Sequence, residues 1–245
     1  MIIKIGTLNV HDWSNRNNEH TEDEIVKLLS SYDLDIIGIQ ETNEKPLEKI
    51  CKKLGNYNFL YSRKTALLSK YSIKKKSPDK TKEKYISADI RISDEIDPIN
   101  VTCIHLDYMY EPKRLKEFDN IMNNSSNSYG IWIGDFNALT ENDYSKKEMA
   151  KITEQRKSSK WEEPHFNLTN KIISHHTNGY KLYDVRLNTR TVSGPLYTCR
   201  FNTRIDYIYV NGKVINSFII KEVLHVNAMP FATDHNLVIA KLELN

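Results

Sequence analysis

The chain has 245 residues, 39% hydrophobic and 27% charged, with a formal net charge of +3, eight glycines and three cysteines. These values exclude disordered and collagen-like classes, and no run reaches the about 18 apolar residues of a membrane span. One globular domain over residues 1–245 fits, because two-sheet and α/β folds often reach roughly 200–250 residues without splitting.

A balance of +3 does not by itself argue for a nucleic-acid partner, nor exclude one. Cys51, Cys103 and Cys199 are widely spaced and odd in number, so neither a disulfide framework nor a zinc site is indicated. A reducing compartment is the simplest reading. The opening run Met1 to Ile5 is too short for a signal peptide, and an intracellular setting, cytoplasm or nucleus, is expected.

In chain order, Ile3, Ile5, Leu8 and Val10 predict a strand that ends in a polar loop from His11 to His20. Thr21 and Glu24 have capping-box spacing ahead of a helix with Ile25, Leu28, Leu29 and Tyr32 on one face. Asp35 to Gln40 reads as a buried strand, and Leu47, Ile50, Cys51 and Leu54 as a second helix with Pro46 in its first turn. Strands follow over Tyr57–Tyr61, Ala66–Ser69, Tyr85–Ile92 and Ile99–Leu106. The basic stretch between Arg63 and Lys84 reads as a solvated hairpin edge rather than a phosphate track.

Leu115, Phe118 and Met122 predict a helix leading to the strand Tyr129–Phe136. A polar, exposed helix lies between Asn142 and Lys160, and the last strands cover Tyr180–Leu187, Thr203–Val210, Ile215–Val226 and Leu237–Leu244. Strands outnumber helices without strict alternation. Two packed sheets flanked by helices are therefore expected in place of a doubly wound parallel sheet.

Polar residues interrupt the apolar runs at their ends, in Leu8-Asn9-Val10, Ile39-Gln40-Glu41-Thr42, Ile104-His105-Leu106, Gly134-Asp135-Phe136-Asn137 and Thr233-Asp234-His235-Asn236. Arg204-Ile205-Asp206-Tyr207 lies inside a predicted strand. Alternation puts Asp135 and Asn137 on one face, and Arg204 and Asp206 on one face. Singly these residues read as turn, cap or core residues; together they make a set. Carboxylates with an amide and no cysteine suit a hard cation such as Mg2+, with Mn2+ able to substitute, and Glu41 is its natural anchor. His105, Asn137 and His235 can donate hydrogen bonds to phosphate, Asp135 can orient or deprotonate water, and Asp206 can hold His235 in one tautomer. The chemistry is phosphoester hydrolysis.

The ordered stretches Thr7-Leu8-Asn9-Val10, Ile39-Gln40-Glu41-Thr42, Ala66-Leu67-Leu68-Ser69-Lys70, Ile104-His105-Leu106, Gly134-Asp135-Phe136-Asn137-Ala138, Arg204-Ile205-Asp206-Tyr207 and Thr233-Asp234-His235 resemble the endonuclease/exonuclease/phosphatase superfamily. The resemblance implies an α/β four-layer sandwich of two mixed sheets flanked by helices, with the site at one rim. It also implies Asn9, Glu41 and Asp234 around Mg2+, Asp135 and Asn137 handling water and phosphate, and His235, supported by Asp206, on the scissile phosphate. His105 matches a second phosphate-contacting histidine.

Departures narrow the branch. His11 stands where abasic-site endonucleases usually carry Asp, those enzymes lack the strand histidine, and Arg204 to Tyr207 does not match the Trp-Cys-Asp-Arg of phosphoinositide 5-phosphatases. The resemblance thus implies a Mg2+-dependent phosphodiesterase on nucleic acid. The alternatives are a phosphatase or phospholipase C-type hydrolase, or a tyrosyl-DNA phosphodiesterase-like enzyme. Candidate substrate contacts are Tyr108, Arg114, Arg204 and Trp161, although Trp161 and the tyrosines read equally as caps on the core. No obligate protein partner is inferred, and a monomer is expected.

Overall fold

A computed structural model describes residues 1–76, 84–124, 129–174 and 181–245. The first half carries β1 (Ile2–Asn9), α1 (Glu22–Tyr32), β2 (Ile36–Gln40), α2 (Glu44–Leu54), β3 (Asn58–Ser62), β4 (Thr65–Ser69), β5 (Ser72–Lys75), β6 (Tyr85–Arg91), β7 (Ile99–His105) and α3 (Glu111–Asn124). The second carries β8 (Gly130–Asp135), α4 (Lys146–Ser158), α5 (Asn167–Ser174), β9 (Leu182–Asp184), β10 (Val192–Ser193), β11 (Asp206–Asn211), α6 (Gly212–Ser217), β12 (Phe218–Val226) and β13 (Leu237–Leu244). They form a seven-stranded sheet ordered β10-β12-β13-β1-β2-β4-β3 and a six-stranded sheet ordered β5-β6-β7-β8-β11-β9. Both are mixed: β1 runs parallel to β2 and β7 parallel to β8, among antiparallel neighbours.

Side-chain alternation explains how the layers meet. Ile3, Ile5 and Ile36 of one sheet pack against Val101, Cys103, Ile131, Ile133, Ile208 and Val210 of the other, in a core with no water access. The opposite-facing residues Leu8, Ile37, Ile39 and Leu68 are covered by Ile25, Leu29, Leu47, Ile50 and Cys51 of α1 and α2. On the other sheet Ile104, Trp132, Tyr207 and Tyr209 are covered by Phe118, Ile121 and Met122 of α3 and by Leu168 and Ile172 of α5. The order is helices, sheet, sheet, helices, the expected four-layer sandwich. Strands buried on both faces have to be apolar almost throughout, which is why β2 and β8 carry no alternation in their composition.

Several local expectations are corrected. Thr21 precedes α1 but makes no side-chain cap; its hydroxyl donates to the Ala232 carbonyl instead. The capping box belongs to α4, where Ser145 and Glu148 exchange bonds with each other's backbone N–H. Residues 212–217, expected to begin a strand at Ile215, form α6, capped by the Asn211 side chain on Val214 N at 3.1 Å. The strand expected over Tyr180–Leu187 is β9 followed by a 3-10 turn at Val185–Asn188; Tyr180 lies outside the described residues. Of the basic stretch, residues 77–83 are also outside them, and Ser72–Lys75 is an edge strand with Lys74 and Lys75 exposed. Among the described residues no helix is long and apolar enough to cross a membrane.

Candidate active site

At one rim of the sandwich the inner faces of both sheets turn polar together. Ile3 and Ile5 give way to Thr7 and Asn9, Ile36 and Gly38 to Gln40, Val101 and Cys103 to His105, Ile131 and Ile133 to Asp135, and Val210 and Ile208 to Asp206. Strand register aligns the last three: His105 pairs with Asp135, and Asp135 with Asp206. Their side chains share one face as direct cross-strand neighbours. β7 and β8 approach closely because Gly134, at φ 141°, has no Cβ; one there would stand 2.0 Å from the Ile104 carbonyl oxygen.

From the facing sheet, Asn9 donates through Nδ2 to Glu41 Oε1 at 3.0 Å and to Asp135 Oδ2 at 3.1 Å. Its Oδ1 accepts from the His11 N–H. Asn9 thereby fastens two carboxylates from different sheets. Glu41 follows β2 with φ 54°, which turns its carboxylate out of the strand into the cleft. Asp234 and His235 come from the loop before β13, pinned by Thr233 Oγ1 donating to the Asn9 carbonyl at 2.9 Å. His235 Nδ1 and Asp206 Oδ2 are hydrogen-bonded at 2.9 Å, with His235 Nε2 directed toward Asp135 Oδ2 at 4.0 Å.

Charge follows from these neighbours. Burial, with the Asp206 charge beside it, pushes Asp135 up to about 8. Burial opposes an imidazolium at His235, yet the charge and hydrogen bond of Asp206 hold it well above its ordinary value. Burial pushes His105 down to about 4 in spite of Glu41. The cleft floor therefore carries one charged and one neutral imidazole, two different donors to a phosphate.

Two carboxylate groups face a place for a cation. Asp135, Asp206 and His235 bring ligand atoms within 4.8 Å of one another, but His235 Nδ1 and Asp206 Oδ2 in that group are already bonded to each other. Glu41 and Asp234 fit better. Asp234 is buried and its Oδ1 accepts no hydrogen bond, an orphan that a divalent cation would satisfy.

The cleft above has a volume of about 630 Å³. Tyr108, Trp161, Phe201, Arg63, Arg156 and Arg200 stand along its walls. Trp161 and Phe201 meet edge to face at 4.7 Å, and the Arg200 guanidinium lies 4.8 Å over the Phe201 ring. Asn137 also lines the cleft, but it follows β8 at φ 50° instead of extending the strand, and its Nδ2 donates to the Leu106 carbonyl.

Two expected substrate contacts do not reach it. Arg114 is buried against Glu111 and Glu162 and donates to the Asp107 carbonyl. Arg204, expected in a strand beside Asp206, precedes β11 and is paired internally with Asp143 and Asp184, both at 2.7 Å, over the Tyr207 ring. Both guanidiniums are held inside the protein by carboxylates, Glu162, Asp143 and Asp184 among them from distant parts of the sequence. Conversely Arg200 and Phe201 were not anticipated, although the basic-aromatic interleaving that singled out Tyr108 and Trp161 is present in Arg200-Phe201 too.

Residues 11–235 match the model of the Endonuclease/Exonuclease/phosphatase family. No curated protein sequence matches the chain. Among solved structures, an endonuclease/exonuclease/phosphatase from Bacteroides vulgatus shares the fold with a TM-score of 0.71 at 16% identity, covering 100% of both chains. A mannosyl-6-phosphatase of Bacteroides thetaiotaomicron gives 0.67 at 16%, covering 98% of this chain and 99% of that one. An AP endonuclease from Archaeoglobus fulgidus gives 0.64 at 18%, covering 97% and 98%. At such identities the likeness establishes the fold, and the activities are those of the named proteins.

Proposed function

Because the chain belongs to the endonuclease/exonuclease/phosphatase family of phosphoester hydrolases, we propose that it is a divalent-cation-dependent phosphodiesterase that hydrolyses nucleic acid by in-line attack of water. The observation that carries this reading is the opposition, across one cleft floor, of Glu41 and Asp234 to Asp135, His105 and the Asp206–His235 pair. Glu41 and Asp234 would hold the cation, Mg2+ or Mn2+, with Asn9 positioning Glu41. When bound, the cation neutralises charge on the phosphate oxygens. Asp135 holds the attacking water and takes its proton, His235 and Asn137 donate to the non-bridging oxygens, and His105 donates as a neutral imidazole. Asp206 accepts the Nδ1–H of the charged His235 and so leaves its Nε2–H directed at the phosphate.

The walls favour a polymer. Trp161 and Phe201 offer faces and edges on which a base can stack, next to Arg63, Arg156 and Arg200 for flanking phosphates. One observation supports the second reading, a phosphatase on small phosphates: Lys64 is paired with Asp12 at 2.8 Å and Arg200 with Asp234 at 3.4 Å, which lowers the charge left for a polyanion.

A panel of single- and double-stranded DNA and RNA, sugar phosphates and inositol phosphates tests both readings. Oligonucleotide cleavage with Mg2+ or Mn2+, abolished by chelator and reduced at least about 10²-fold by Asp135→Asn or His235→Ala, is the expected result. Release from the small phosphates alone replaces it with the second reading, and variants as active as the parent sink both.

A further inference from the structure

His11 is left unused by the chemistry above, yet it stands at the cation side of the cleft. His11, Asp12 and Trp13 have φ of 46°, 51° and 62°, and the turn is clamped by Asp12 N donating to the Glu41 carbonyl and Trp13 Nε1 to Thr42 Oγ1. His11 Nδ1 lies 3.5 Å from Glu41 Oε2 and 3.6 Å from Asp234 Oδ1. Asp234 is 6% exposed, and the oxygen facing His11 is the one that accepts no hydrogen bond. That buried orphan marks a ligand position independently of the acidic residues around it.

The geometry points to His11 Nδ1 as a ligand of the cation held by Glu41 and Asp234, giving the site one nitrogen donor and a preference for a first-row transition ion over Mg2+. The inference rests on the cation-dependent reading of the cleft. Mg2+ takes oxygen ligands and keeps its waters, so exchanging an imidazole for water or an amide oxygen changes its binding little. Transition ions gain from imidazole, increasingly toward the end of the first row. The Asn9 oxygen that accepts the His11 N–H sets the ring beside both carboxylates in advance.

Calorimetric titration of the metal-free full chain with Co2+ and with Mg2+, for the parent and for His11→Asn, tests it. Asn tolerates a left-handed φ and offers an oxygen, so the turn is kept and only the nitrogen is lost. Co2+ should bind the parent more tightly than Mg2+. In the variant the Co2+ affinity should fall at least about tenfold and its visible absorption change, with Mg2+ affinity altered less than about threefold. Equal Co2+/Mg2+ ratios in the two proteins overturn the inference while leaving the cation-dependent reading standing if Mg2+ still supports turnover. A parent that binds neither ion overturns both. Should the variant fail to fold, pulsed electron paramagnetic resonance of Mn2+ bound to the parent gives a second readout: nitrogen modulation is required, and its absence overturns the inference.

Discussion

Asp206 is 1% exposed and does not itself line the cleft, so any part it plays in turnover runs through the two lining residues beside it, His235, to which it is hydrogen-bonded, and Asp135, its cross-strand neighbour. Its backbone N–H is anchored by Thr198 Oγ1 at 3.0 Å, which fixes the carboxylate under the ring. Asp206→Asn keeps the volume and can keep a hydrogen bond, but it removes the charge that stabilises the imidazolium and permits the opposite tautomer. kcat should fall about 10²–10⁴-fold with KM within about threefold, because substrate still meets the same walls while the donor to the phosphate is lost. Thermal unfolding recorded alongside separates this from damage to the fold. A variant whose KM rises with kcat unchanged would falsify the assignment of Asp206 as the group that positions His235.

At the scale of elements, α3 and the segment before α5 are joined by a strap. Arg114 of α3 is held by Glu111 one turn back and by Glu162, and Glu111 also accepts the Leu168 N–H at 2.8 Å. Trp161 is the residue next to Glu162, so the strap sets one wall of the cleft from inside the protein. Arg114→Met leaves the buried Glu111 and the half-buried Glu162 without their cation. Stability should drop by about 3–5 kcal/mol, measured by denaturant unfolding. If the variant is assayed where it remains folded, KM for the substrate should rise more than kcat falls, because Trp161 loses its support and the catalytic strand ends do not. The strap also shows where reading a sequence stops. The strand ends were legible because period two and apolar neighbours constrain Asn9, His105, Asp135 and Asp206 locally. Arg114 resembled a surface cation because Glu162, the second of its two carboxylate partners, lies 48 positions away, and Arg204 because Asp143 and Asp184 lie 61 and 20 away. Thr21 carried a cap pattern whose hydroxyl went to Ala232, 211 positions on. α5 was missed for a different reason: eight residues give too few turns for periodicity to stand out. Contacts made across the fold carry no local signal.

Over the whole molecule, two sheets that are sealed by apolar side chains along most of their facing surfaces end at a rim where Glu41, Asp135, Asp206 and Asp234 are gathered. Asn9, His11, His105 and His235 offset part of that repulsion, but Asp234 Oδ1 and Asp206 Oδ1 still have no hydrogen-bond donor. Without a cation the rim is therefore a place where the fold gives up stability to hold a site. A cation bound only by the native chain reverses this through mass action, about 2.7 kcal/mol at a concentration of 100 Kd. For a chain of this size that corresponds to a rise of roughly 5–10 °C in Tm. Asp234→Asn should act oppositely in the two conditions. In chelator it relieves repulsion and gives Oδ1's position a less costly occupant, so its Tm should equal or exceed the parent's. With cation present it should lose most of the increment, because one of the two proposed anchoring carboxylates is gone. Glu41→Gln should reproduce the loss of increment, since the two groups face the same ion. Differential scanning calorimetry across a cation series decides the matter. A parent increment retained in both variants would place the cation elsewhere, at the Asp135, Asp206 and His235 cluster, and Asp206→Asn in the same series would then be the variant that loses it.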